Sequence, residues 1–400
     1  MDDHVVDDTI AKRNAIVLAG GQMLGGACST ILMTISGIIG TTLAPHPSWA
    51  TVPITAFVLG QAMTTLPAGI YMRRLGRRLG FMIGSLFAVA GGLTCVAALI
   101  FGRFDVFLLG TALCGCFQAH VQYYRFAAAD TASAAFRPKA ISWVLVGGVA
   151  AAILGPQLVI FSRDLLAPVT FAGSFMVLAI LATISFALMT QVRGSRPRAR
   201  GGPSGRPFSE ILRQPRLVVA IACGMISYSL MSLVMTAAPI AMLACNYGVA
   251  DAALAIQWHA LSMFAPSFFT GHLINRFGKE RVAATGMVLL ASCGIVSLSG
   301  VDLAHFWGAL ILLGLGWNFG FVGATAMVTD FCRPEERNKV QALNEFCVFA
   351  SVATASFMSG RLLDLFGWET VNIAIFPGVA IALVLIFLLL RHTRTNPHAA

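Results

Sequence analysis

Charge is what this chain lacks. Only 11% of its 400 residues are Asp, Glu, Lys or Arg, against the roughly 25% of an ordinary soluble domain, and that deficit excludes a soluble enzyme. Acidic residues are the scarcer kind, 17 against 27 Lys and Arg. Enzyme signatures are missing too. There is no HExxH, no G-x-S-x-G, no Walker loop and no dinucleotide fingerprint, so an ATP-driven pump or a membrane protease has no motif to rest on. The nine cysteines sit mostly inside apolar stretches with no paired-finger spacing, which argues against a disulfide scaffold. No prosthetic group is expected. The N-terminal MDDHVVDDTIAKRN is acidic and polar, unlike a cleavable signal peptide, so the first apolar span is expected to serve as the insertion signal.

What is abundant is apolar surface. Hydrophobic residues make up 57% of the chain and its mean hydropathy is +0.80, more than one aqueous core can hide, so lipid has to be the solvent for most side chains. Apolar runs lie near 15–42, 50–71, 80–101, 105–128, 139–161, 168–190, 217–244, 251–274, 282–300, 303–328, 339–360 and 369–390. A backbone in hydrocarbon must satisfy its own hydrogen bonds, and these runs lack the alternation of a barrel strand, so an all-α integral membrane protein of about twelve transmembrane helices is predicted. The 39 glycines allow such helices to approach closely.

The net charge of +10 and pI near 9.5 do not point to nucleic acid, because the basic residues cluster in short loops rather than in a patch with interleaved aromatics. Nearly all of them fall on one side of the membrane. Only Arg103, Arg163 and Arg361 fall on the other. The positive-inside bias then places both termini in the cytoplasm of a bacterial inner membrane. The stretch from Arg193 to Arg216, rich in Arg, Gly and Pro, reads as a flexible cytoplasmic linker. It separates an N-terminal bundle, 1–192, from a C-terminal bundle, 217–400.

These halves repeat. Gly69-Ile70-Tyr71-Met72-Arg73-Arg74-Leu75-Gly76-Arg77-Arg78 follows the second span, and Gly271-His272-Leu273-Ile274-Asn275-Arg276-Phe277-Gly278-Lys279-Glu280 follows the eighth. Asp130, Arg137 and Lys139 likewise recur as Asp330, Arg337 and Lys339. An even number of spans per half makes the copies parallel, the arrangement of two six-helix bundles around a central cavity. The paired loops resemble the signature loop of the major facilitator superfamily, Gly-x-Leu-Ala-Asp-Arg-x-Gly-Arg-Lys, over essentially the whole chain. Arg73 and Asn275 stand where that pattern has its acid. Gly147-Gly148 and Gly155-Pro156 in the fifth span resemble the glycine-proline motif of antiporters in that superfamily; such a pair also simply kinks a helix.

Ionisable groups within the spans are few. Arg125 and Asp130 near the cytoplasmic end of the fourth span and Glu345 in the eleventh, together with the loop residues Arg73, Arg74, Arg77, Asn275 and Arg276, form either a cytoplasmic gate or structural ion pairs. His120, deep in the fourth span beside Gln118 and Gln122, reads as a proton carrier or a hydrogen-bonded helix contact. Trp317-Asn318 in the tenth span either lines the pore or packs. Sulfur and imidazole mark two consecutive spans. Met231 and Met235 share one face of the seventh, and His259 and Met263 share one face of the eighth. At about 1.5 Å per residue the two pairs lie at matching depth, near the middle of the membrane. Thioether and neutral imidazole are soft donors that suit Cu(I), and Cys223 and Cys245 bracket the methionines as thiols able to pass an ion on. The bland alternative is that Met fills apolar gaps and that the histidine bonds a neighbouring carbonyl.

An MxxxM span followed by an HxxxM span resembles the CcoA-like (CalT) copper transporters, a bacterial branch of the superfamily. That resemblance implies a secondary importer of copper for haem-copper cytochrome c oxidase assembly, with Met231, Met235, His259 and Met263 as the copper path; a monomer is expected. It also implies periplasmic or cytoplasmic copper carrier proteins as partners. The competing expectation is a proton-coupled carrier or exporter of a small organic solute such as a drug, siderophore or metabolite.

Overall fold

The computed structural model describes residues 8–133, 136–194, 206, 208–332 and 336–395. Arg196, Arg198, Arg200, Arg333 and the acidic residues at the extreme N-terminus lie outside the described residues. Among the described residues the regular structure is helical: α1 (Thr9–Leu43), α2 (Val52–Leu75), α3 (Arg77–Phe101), α4 (Phe104–Val121), α5 (Tyr124–Asp130), α6 (Arg137–Ser162), α7 (Ala172–Met189), α8 (Phe208–Ile211), α9 (Pro215–Ala244), α10 (Val249–Phe264), α11 (Ser267–Phe277), α12 (Lys279–Ser299), α13 (Leu303–Phe331), α14 (Arg337–Ile373) and α15 (Ile375–Thr395). A short 3-10 turn, Pro47–Trp49, joins α1 to α2.

Among the described residues, ten segments are long and apolar enough to cross a membrane. Two departures reconcile that number with twelve crossings. The segment Val340–Arg391 has 52 residues, about 78 Å of helix and more than twice a hydrocarbon core of about 30 Å. It is broken where Gly367 takes φ 78, so it holds the eleventh and twelfth crossings, and the eleventh helix runs past the end near 360 expected from the sequence. The eighth crossing is split instead. Pro266 follows Ala265 and cannot donate to the helical ladder, so α10 stops at Phe264 and α11 restarts at Ser267. A smaller break after Val121 divides the fourth crossing into α4 and α5.

The chain forms two compact units. The first contains residues 1–45 and 52–200, where α1 packs on α6 and α7, α3 on α4 and α7, and α2 on α4. The second contains residues 46–51 and 201–400, where α9 packs on α14 and α15, α12 on α13 and α15, and α10 on α13. The same partners pair in the same order in each, which is the repeat read from the sequence, now seen in packing. Two segments outside the long helices of the second unit belong with it. Residues 46–51 join the second unit, where the Gly360 N–H donates to Thr51 Oγ1 at 3.2 Å and His46 Nδ1 lies 3.8 Å from Asp364. The end of the expected linker also folds onto the second unit. Ile211 is fully buried, and Arg206 donates to both carboxylate oxygens of Glu336, at 2.6 and 2.9 Å, while its backbone N–H donates to Oε1 at 3.2 Å.

Glu336 is 1% exposed, so this two-pronged pair sets where chain re-enters the second bundle, and a charge held that far from water depends on its partner. Replacing Arg206 by Ala is expected to lower the unfolding midpoint in detergent by several degrees, with Arg206→Ala/Glu336→Gln recovering much of the loss. Equal midpoints for the parent and the single variant would remove this clasp from the account.

Both signature loops turn on a glycine that no L residue replaces without strain, Gly76 at φ 92 and Gly278 at φ 90. The cation after each glycine is thereby aimed at the C-terminal end of a neighbouring helix. Arg77 is 7% exposed and donates through Nε to Asp130 Oδ2 at 3.1 Å, with its guanidinium 5.5 Å from the Tyr123 ring centroid. Lys279 pairs with Asp330, its Nζ 4.8 Å from the Phe331 ring.

Candidate functional site

The sequence-derived gate residues separate into two groups. Arg77 and Asp130 form the pair just described, whereas Arg73, Arg74, Asn275 and Arg276 are exposed. Arg125 is exposed with its guanidinium 4.9 Å from the Phe126 ring, and Glu345, half-buried, accepts from Gln341 Nε2 at 3.2 Å. The family's missing acid is therefore not replaced within the loop. The base after the loop glycine, Arg77, reaches an acid at the end of α5 instead.

In the first unit His120 is fully buried. Its Nδ1 lies 2.7 Å from the Cys116 carbonyl and its Nε2 meets the Tyr71 hydroxyl, so both ring nitrogens have partners. Gln118 accepts from the Ser29 hydroxyl at 2.6 Å, and the Tyr123 hydroxyl donates to the Thr65 carbonyl at 2.7 Å. This interior is hydrogen-bonded throughout those positions.

In the second unit, Gly314 lets α10 approach α13: a methyl group there would lie 2.5 Å from the His259 carbonyl oxygen and 2.8 Å from Ser262 Cβ. The contact orienting His259 thus runs to α13, its Nδ1 lying 2.9 Å from the Leu310 carbonyl, while its fully buried Nε2 has no partner. Met231 and Met263 belong to the apolar core of this unit at 2% and 8% exposure, and Met235 packs against it. Cys223 is buried in α9 and Cys245 is half-buried where α9 ends. Among the described residues no three His, Cys, Asp or Glu side chains cluster to hold a metal ion.

The break at Pro266 is stitched by Asn318. Its Nδ2 donates to the Met263 carbonyl and to Ser267 Oγ, both at 2.7 Å, and its Oδ1 accepts from the Thr270 hydroxyl at 2.6 Å. Backbone groups freed by a proline inside a membrane need such partners. One turn away, rings from four helices converge. Tyr228 of α9 meets Trp317 and Phe321 of α13 edge-on, at 5.3 and 5.1 Å between centroids, and Phe349 of α14 at 6.2 Å. Trp317 stacks on Phe321 at 5.2 Å and 15°, and Phe264 of α10 lies 6.4 Å from Trp317. Of these rings the sequence alone singles out only Trp317. Trp317 and Phe321 share the same four-residue spacing that draws attention to Met231 and Met235, and the same rule applied to aromatics finds them.

A family profile described as "Major Facilitator Superfamily" matches residues 18–256 and 220–400. A riboflavin transporter, RfnT of Brucella anthropi, is 48% identical over 97% of this chain and 98% of its own length. YddS of Bacillus subtilis, an uncharacterised MFS-type transporter, is 25% identical over 96% of this chain and 92% of its own. Among solved structures, the nucleoside transporter NupG superposes with a TM-score of 0.70 at 13% identity, covering 96% of this chain and 98% of that one. The POT family transporter PepTSo gives 0.76 at 12%, covering 97% and 99%. The end-to-end likeness to a riboflavin transporter overturns the expectation of copper import and of a role in cytochrome oxidase assembly. The four-residue spacings behind that expectation are also what a core-facing helix stripe produces, and Met231 and Met263 are core residues. With a matched family profile and a near-full-length relative, the chain is a multi-pass membrane protein of the major facilitator superfamily, to which it belongs.

Proposed function

We propose that this chain carries riboflavin across a bacterial plasma membrane, with both termini in the cytoplasm and alternating access between its two bundles. The observation that carries the reading is the 48% identity to the Brucella anthropi riboflavin transporter along 97% of the chain. The aromatic cluster of the second unit is consistent in kind, because riboflavin is a flat heteroaromatic ring system bearing a polyhydroxylated chain, and ring surfaces stack on such a face. The cytoplasmic placement of the termini rests on the distribution of Lys and Arg.

The test is uptake in a riboflavin-requiring bacterium that lacks its own transporter. Cells making this chain with green fluorescent protein fused after Ala400 are expected to fluoresce, since that reporter matures in the cytoplasm. They should also accumulate radiolabelled riboflavin about tenfold faster than cells with empty vector. Fluorescent, membrane-localised protein with no uptake above vector would sink the riboflavin reading.

A further inference from the structure

We infer that Tyr228, Trp317 and Phe321 form the wall that takes the flat ring of the cargo, with the Trp317 indole N–H donating to a ring carbonyl or ring nitrogen. This deepens the riboflavin reading and rests on it. Trp317 is 8% exposed, and its Nε1 is buried without a hydrogen-bond partner. An orphaned N–H in a membrane interior is costly, and each such group calls for an explanation. A second orphan lies on the same side of α13. Ser227 Oγ has no partner, and a methyl group on Gly320, three residues after Trp317, would lie 2.5 Å from it. An unpaired donor and an unpaired hydroxyl thus flank a group of rings of which Tyr228 and Phe321 keep part of their surface open.

The other half of the repeat shows what these positions look like when closed. Gly84 abuts His120 in the first unit as Gly286 abuts Gly320 in the second, which aligns α4 with α13 in the register of Asp130 and Asp330. The counterparts of Trp317 and Phe321 are then Phe117 and Val121. Each is 1% exposed and carries no polar atom. The counterpart of Gly320 is His120, whose two nitrogens are both engaged. At these aligned positions the orphaned donor and the partly open ring belong to the second copy, as expected of positions given over to a ligand rather than to the shared scaffold. The chemistry selects a planar heteroaromatic molecule with an acceptor at its ring edge. A sugar-like chain has no flat face to offer and is not what this wall reads.

Stacking on tryptophan or tyrosine quenches flavin fluorescence, so the purified full-length protein in detergent gives a direct readout. The parent is expected to quench riboflavin. Lumichrome, the ring without the chain, should compete for the site, and ribitol, the chain without the ring, should not. Trp317→Ala and Tyr228→Leu are expected to weaken riboflavin binding about 10- to 100-fold, the range that loss of one base-like stacking partner produces. Trp317→Phe, which keeps an aromatic face but loses the N–H, should weaken it about 5- to 10-fold. Trp258→Phe, on the exposed side of α10, should leave it unchanged. Folding is checked by monodisperse elution, and the conservative Trp317→Phe keeps the test alive if the alanine variant fails to fold. Parent-like riboflavin affinity in folded Trp317→Phe and Tyr228→Leu overturns the ring wall while leaving riboflavin transport standing, as does competition by ribitol and not lumichrome. A parent protein that neither binds nor transports riboflavin overturns both.

Discussion

Gly286→Leu should yield no stably folded protein, and Gly286→Ala should lose about 3 kcal/mol, near the upper end of overpacking costs. A Cβ at this position would lie 2.6 Å from the Gly320 Cα and 2.7 Å from the Gly316 carbonyl oxygen. These are backbone atoms of α13, which cannot rotate aside as a side-chain tip can. The crossing of α12 and α13 would have to open, pulling apart the helix that carries Trp317, Asn318 and Phe321. Gly271 is the internal control. It is also helical, but nothing lies within 4 Å of a Cβ built there, so Gly271→Ala is expected to be neutral or to stabilise by up to about 1 kcal/mol through helix propensity. Thermal unfolding of the two alanine variants in the same detergent decides the matter, and matching midpoints would show that the close crossing carries no such constraint.

The second large effect is expected at the first signature loop. Arg77→Ala should cost about 2 kcal/mol and slow transport, because it strands Asp130 at the C-terminal end of the fourth crossing. Removing one partner of a fully buried pair costs about 3–5 kcal/mol; the Asp130 side chain is 25% exposed and recovers some hydration, hence the smaller figure. Arg73→Ala and Arg74→Ala, at exposed positions of the same loop, should stay within about 0.5 kcal/mol of the parent. Unfolding midpoints and initial uptake rates compared across these three variants distinguish a paired arginine from a merely exposed one. Parent-like behaviour of Arg77→Ala would show that the Arg77–Asp130 pair contributes to neither stability nor transport.

The helical architecture was legible because lipid leaves the backbone no alternative, and the run of Ala, Leu, Val and Ile in each span needs no context to be read. The repeat was legible for a related reason, since Gly76 and Gly278 occupy a backbone conformation that restricts the residue to glycine. Helix breaks were not. Pro67, Pro156 and Pro239 lie inside helices that continue through them, whereas Pro266 ends one. The difference at Pro266 involves Asn318, which is distant in sequence and supplies the hydrogen bonds the broken turn needs. Cargo was the least legible. Met231, Met235, His259 and Met263 satisfy a donor pattern and a packing pattern equally well, and one-dimensional spacing carries no information on whether α13 stands beside His259. The converging rings were missed because Tyr228 and Phe349 come from crossings far apart in sequence, and only the Trp317-to-Phe321 spacing is local.

The two signature loops share a turn but not a cation. An arginine resists acylating reagents, whereas the lysine at 279, 20% exposed beside Asp330, presents a primary amine. Treatment with an amine-directed anhydride would therefore neutralise the cation of the second loop and spare that of the first, so that duplicated halves, alike in backbone, become chemically distinguishable.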